Sequence, residues 1–135
     1  MSYSFEELTE GLSASFEKVV TEQDVQTFAQ VTGDTNPVHL DADYAATTSF
    51  EKPIAHGMLT AGFISAAIGT KLPGPGCIYL EQSLKFRAPV FIGATVTTTV
   101  TVKELNERRR RAVLETVCTV EGKKVVTGEA TIMLP

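Results

Sequence analysis

Residues 58–72 constrain the fold more than any other stretch. Met58, Leu59, Ala61, Phe63, Ile64, Ala66, Ala67 and Ile68 would cover nearly the whole circumference of a helix over about residues 58–71. A helix without a polar face is a buried helix. Thr60, Gly62, Ser65, Gly69, Thr70 and Lys71 interrupt the run, which is too short and too polar to span a bilayer. Pro73-Gly74-Pro75-Gly76 ends it. The rest of the chain therefore has to wrap around this element.

From Cys77 onward the apolar period changes to two. Ile78, Leu80, Leu84 and Phe86 suggest one long strand interrupted near Glu81-Gln82-Ser83, and Leu80, Leu84 and Phe86 read as core residues. Val96, Val100 and Val102 alternate with threonines, and Ala112, Leu114, Cys118 and Val120 alternate again. A last strand carries Val126, Ala130, Ile132 and Leu134, with Gly93, Asn106 to Arg109, and Glu121-Gly122-Lys123 as turns. Residues 13–20 read as a weaker strand. One long helix and about five mostly antiparallel strands predict an α+β architecture in which a curved sheet wraps the helix, the arrangement of a hot dog fold. Such a sheet leaves one side of the helix and an edge strand open. Open edges invite pairing, which predicts a homodimer by sheet extension or back-to-back helices.

Between the first strand and the central helix the chain is punctuated. Thr21 reads as an N-cap with Asp24 three residues on, opening a helix over about 22–31 that Gly33 stops. Pro37 forbids immediate continuation, and Asp41 caps a further helical turn carrying Tyr44 and Ala45. The 135 residues fit one domain, 1–135, with neither repeat nor linker. A formal net charge of -4 argues against nucleic-acid binding. The acidic N-terminus resembles neither a secretory signal nor a transit peptide. The two cysteines, Cys77 and Cys118, form no disulfide framework and read as small apolar residues, so a cytoplasmic setting is the default.

The run Gly33-Asp34-Thr35-Asn36-Pro37-Val38-His39 sets a carboxylate, an amide and an imidazole around one turn, the inventory needed to hold a water molecule and move its protons. The chain has only two histidines, His39 and His56. Both lie in Gly/Pro-marked segments, and the spacing offers no metal-ligand cluster.

This motif, followed by Tyr44-Ala45, resembles that of the MaoC-like (R)-specific enoyl-CoA hydratases. Pro53-Ile54-Ala55-His56-Gly57-Met58-Leu59, the stretch from Tyr79 to Pro89, and Val126-Thr127-Gly128-Glu129-Ala130 are similar to that family as well. The length matches its short single-domain bacterial members, which feed (R)-3-hydroxyacyl-CoA into polyester synthesis. The resemblance implies reversible syn addition of water to a trans-2-enoyl-CoA, with no metal and no cofactor. It implies that Asp34 and His39 hold the water and move its protons, that Asn36 shapes the site, that the Gly57 N–H polarises the thioester carbonyl, and that Ser65 hydrogen-bonds the aspartate. His56, Lys85 and Arg87 are weaker substrate-contact candidates.

Each of these residues also has a plainer reading. Asp34 and Asn36 are ordinary turn formers. His39 can bond backbone, His56 can shape its loop, Ser65 can bond its own i−4 carbonyl, and Gly57 can be a packing glycine. Arg108-Arg109-Arg110-Arg111 suits CoA phosphates but reads better as a solvated hairpin tip. The rival functions are an acyl-CoA thioesterase of the same fold and a non-catalytic acyl-thioester binding module. Thioesterases of this fold place an acid on or near the central helix, and residues 58–72 carry neither Asp nor Glu.

Overall fold

The computed structural model describes residues 2–135. A 3-10 turn at Phe5–Glu7 leads to strand β1 (Ser13–Val19). Helix α1 (Glu22–Thr32) opens on a capping box: Thr21 Oγ1 accepts the Asp24 N–H and Asp24 Oδ2 accepts the Thr21 N–H, each at 3.0 Å. It closes at Gly33, whose φ of 82° is the left-handed conformation glycine adopts without steric cost. Helices α2 (Pro37–Leu40) and α3 (Ala42–Ala46) follow. Asp41 caps α3 by accepting the N–H groups of Asp43 and Tyr44. Helix α4 (Gly57–Thr70) is the apolar segment.

The remaining elements are strands: β2 (Ile78–Gln82), β3 (Lys85–Phe86), β4 (Thr95–Asn106), β5 (Arg111–Val120) and β6 (Lys123–Met133). They form one antiparallel sheet of six strands in the order β1-β4-β5-β6-β2, with β3 also pairing β6. Along β4 and β5 every second residue faces the core: Val96, Thr98, Val100 and Val102, then Ala112, Leu114, Thr116 and Cys118. Phe63, Ile64, Ala67 and Ile68 of α4 pack against this surface in one apolar cluster. Burial of such side chains stabilises by roughly 2 kcal/mol each.

Four expectations are refined or corrected. Helix α1 does not continue through Pro37, as expected, but Pro37 also opens a helix of its own. It occupies the first position of α2, where its missing N–H costs nothing and its fixed φ is already helical. Helix α4 has the open side expected of a wrapped sheet: Gly62, Ser65, Ala66 and Gly69 are exposed, because the sheet covers one side only and the open side carries small residues. Leu80 and Phe86 are not core residues but are 38% and 55% exposed, since β2 is an edge strand and β3 pairs over only two residues. Leu84 does pack against the core as a partly buried residue. The arginine run is more than a solvated tip, because Arg110 bonds Glu6 at 2.6 Å and lies over the Phe5 ring, tying the β4–β5 turn to the N-terminal segment.

Gly128 tests the sheet geometry. A β-carbon there would lie 1.8 Å from the Ser83 carbonyl oxygen, a backbone atom that cannot step aside. Gly128→Ala is expected to destabilise the protein by about 3 kcal/mol, the upper range for overpacking, in urea melts followed by circular dichroism. A midpoint matching the wild type would refute the close approach of residues 83 and 128.

Candidate active site

The loop between α1 and α2 is built by its own side chains. Thr32 Oγ1 accepts the Asp34 N–H at 3.2 Å, and Asp34 Oδ1 accepts the Asn36 N–H at 3.3 Å. Asn36 Oδ1 caps α2 by accepting the Val38 N–H at 3.2 Å. Asn36 thus sets the start of the helical turn that carries His39. His39 Nδ1 lies 2.7 Å from the Ile54 carbonyl oxygen. A carbonyl only accepts, so Nδ1 carries the proton and Nε2 is left as the lone-pair nitrogen of the neutral ring. Burial pushes the His39 pKa below the usual 6.5, against the Ile54 carbonyl, which holds it up; proximity to His56 lowers it further, and Asp34 raises it.

His56 immediately precedes α4 and is almost fully buried. Its Nε2–H donates to the Asp34 carbonyl oxygen at 2.9 Å. Its ring stacks on His39 with centroids 3.9 Å apart and meets Phe28 at 4.7 Å. Gly57 is the first residue of α4, so its N–H has no acceptor within the helix and lies at the positive end of the dipole. The space that a Gly57 β-carbon would fill is taken by the Phe86 ring, 2.7 Å away. Packing therefore explains the glycine, while its N–H stays available.

These groups share one cavity of about 530 Å³. Asp34, His39, His56 and Gly57 form its polar part, and Phe50, Ile54, Met58, Phe86, Val90 and Val126 supply apolar walls. Arg87 lines the same cavity and donates from Nε to Thr127, whereas Lys85 lines a neighbouring depression. Ser65 lies apart, on the exposed side of α4, and among the described residues no hydrogen bond joins it to Asp34. The four arginines do not line this cavity either.

One grouping is invisible in the sequence spacing. Asp34, His39 and His56 each bring a potential metal-ligand atom within 4.8 Å of the others. The imidazole planes, however, stack 29° from parallel. Planes so related meet well beyond a metal–nitrogen bond of about 2 Å, so one ion cannot lie in both ring planes unless a ring swings. The arrangement suits proton transfer better than ligation.

Residues 5–126 match the MaoC like domain. The chain belongs to this family. It is 57% identical to an (R)-specific enoyl-CoA hydratase of Rhodospirillum rubrum over 97% of its own length and 91% of that protein. It is 47% identical to an (R)-specific enoyl-CoA hydratase of Aeromonas caviae, covering 98% and 99% of the two chains. The solved structure of the A. caviae (R)-hydratase involved in PHA biosynthesis superposes with a TM-score of 0.93 at 46% identity, over 96% of this chain and 99% of that one. The α+β sheet-and-helix arrangement of this MaoC-like chain is the hot dog fold. Among the described residues no helix is long and apolar enough to cross a membrane.

With only two histidines in the chain, imidazole NMR signals can be assigned by single substitutions. His39 is expected to titrate with a midpoint below 6.5. A midpoint at or above that value would contradict the desolvated site.

Proposed function

We propose that the chain is an (R)-specific enoyl-CoA hydratase, a hydro-lyase that adds water reversibly and syn across a trans-2-enoyl-CoA to give the (R)-3-hydroxyacyl-CoA. The observation that carries this reading is the His39 Nδ1–H bond to the Ile54 carbonyl. It leaves Nε2 free to take a proton in the cavity that also holds the Asp34 carboxylate and the Gly57 N–H.

Asp34 and His39 hold the water. As its oxygen attacks carbon 3, one proton passes to the pair; as carbon 2 is protonated, one proton returns. The net proton count on the pair is unchanged. The lowered basicity of His39 keeps its ring in the proton-accepting form near neutrality. Negative charge that builds on the thioester oxygen is met by the Gly57 N–H and the end of the α4 dipole. Conjugation already activates the alkene, so the chemistry needs no metal or redox cofactor. Asn36 supports the site as the α2 cap, and Arg87 is positioned to meet the carrier half of the substrate.

The chain acts as one domain in this reading, in the cytoplasm and as a homodimer. The exposed β2 edge and the open face of α4 support the homodimer. That open face carries Ser65, so a second copy would be needed to bring Ser65 to an aspartate. The thioesterase alternative is disfavoured because α4 carries no acidic residue.

Crotonyl-CoA separates the readings. Loss of enoyl absorbance without thiol release supports hydration; thiol release supports hydrolysis. Asp34→Asn and His39→Gln should each lower kcat by roughly 10²–10⁴, the range for a positioned acid–base group, with the circular dichroism unchanged. Rates within tenfold of wild type for both would discard the assignment. Light scattering should give the mass of two chains, and a monomer at micromolar concentration would remove the homodimer.

A further inference from the structure

We propose that His56 is the positioning residue of the Asp34–His39 pair: one buried imidazole holds the Asp34 loop by its edge and the His39 ring by its face. The proposal rests on the hydratase reading above.

His56 sits where a helix cap would, yet its side chain makes no capping bond to α4. Its polar edge is used elsewhere. Nε2–H reaches back 22 residues to the Asp34 carbonyl and so ties the α1–α2 loop to the start of α4 by a side-chain hydrogen bond. A serine, threonine or asparagine would have capped the helix more effectively. None of them could also reach Asp34 and cover an aromatic face. The ring is wedged between Phe28 of α1 and His39 of α2, at 4.7 and 3.9 Å, and is only 2% exposed. It therefore fixes two separate quantities. The hydrogen bond sets where the Asp34 carboxylate stands, and the stack sets the rotation of the His39 ring about its bond to Ile54.

The tautomers interlock. The Asp34 carbonyl only accepts, so His56 in its neutral form carries its proton on Nε2, and its Nδ1 is buried without a partner. The Ile54 carbonyl likewise keeps the His39 proton on Nδ1. Each ring has one nitrogen committed to the backbone, and only His39 has its other nitrogen left for solvent or substrate. The buried Nδ1 of His56 loses its hydration without gaining a partner, a cost that folding alone would avoid by placing an apolar ring here.

Two substitutions separate the two contacts. His56→Phe keeps an aromatic face for His39 and loses the donor; His56→Gln keeps an amide N–H near the Nε2 position and loses the face. Each is expected to lower kcat on crotonyl-CoA by about 10- to 100-fold, the cost of an ångström-scale misplacement, with KM changed by less than about threefold. Nitrogen-15 imidazole spectra, taken at a pH where the rings are neutral, should show His39 as a mixture of tautomers in His56→Gln, which loses the face, and still protonated on Nδ1 in His56→Phe, which keeps it. Wild type should show His39 protonated on Nδ1 and His56 on Nε2. A merely structural role would lower the melting temperature and leave the kcat–KM split, and the His39 tautomer in His56→Gln, untouched in the folded variants. The proposal is overturned if folded His56→Phe keeps kcat within twofold of wild type, or if the wild-type spectra place the His56 proton on Nδ1. Should neither variant fold, the wild-type spectra decide alone. If wild type hydrates no enoyl-CoA, the hydratase reading falls, and the His39 tautomer in the variants still judges the positioning role.

Discussion

Residues 54–56 are the strip on which the candidate active site is assembled. The Ile54 N–H donates to the Val38 carbonyl, and the Ile54 carbonyl accepts from His39. The Ala55 N–H donates to the Val90 carbonyl, and His56 reaches the Asp34 carbonyl. Within three residues the chain is joined to α2, to the segment before β4, and to the α1–α2 loop. Each bond is individually worth about 1 kcal/mol. Their importance is geometric, because they bring the N-terminus of α4 to the same point as a carboxylate and an imidazole from another part of the chain.

The position of α4 explains the chemistry available there. Its inner face is clamped by the valines of β4, so its first turn cannot slide along the sheet without opening the core. The unpaired N–H of Gly57 is therefore a fixed donor, which is the property that distinguishes a preorganised site from solvent. Desolvation acts in the same direction on His39. By depressing the basicity of the ring it keeps the lone pair available near neutrality, and it strengthens the field of the helix end felt by a thioester oxygen. One structural fact, the meeting of a loop with the mouth of a half-covered helix, thus supplies both the proton acceptor and the electrostatic stabilisation that the proposed reaction requires.

Local signals in the sequence were read correctly wherever the physics is local. The Thr21 and Asp41 caps, the Gly33 stop and the apolar helix each depend on neighbours within four residues. The residue pair Asp34 and His39 was visible because one turn carries both. What could not be read depends on packing between distant segments. The spacing of His56 and His39, 17 residues apart by number, holds no hint that their rings stack. The exposure of Phe86 follows from how briefly β3 pairs with β6, and period-two alternation cannot reveal that. The short helix α2 was hidden by the double meaning of proline, which breaks a helix from within and starts one from its first position.

The charge of the chain poses a last constraint. A CoA thioester is polyanionic, and a protein of net charge -4 repels it at long range. Binding then depends on where the few cations stand rather than on their number. Arg110 is held by Glu6, and Lys103 is paired with Glu129, so both are partly neutralised by a neighbour. Arg87 differs: its one side-chain partner is the uncharged hydroxyl of Thr127, and it stands on the wall of the cavity itself. Lys85 and Lys124 line the adjacent depression, where Glu115 and Glu129 offset them. Arg87 also borders that depression, so it shares those carboxylates and, across the cavity, Asp34; among the described residues it is the cation lining the reactive pocket, and no carboxylate is ion-paired to it. Its Nε bond to Thr127 fixes the stem, so under the proposed hydratase reading the terminal N–H groups are what this wall would offer a phosphate-bearing carrier.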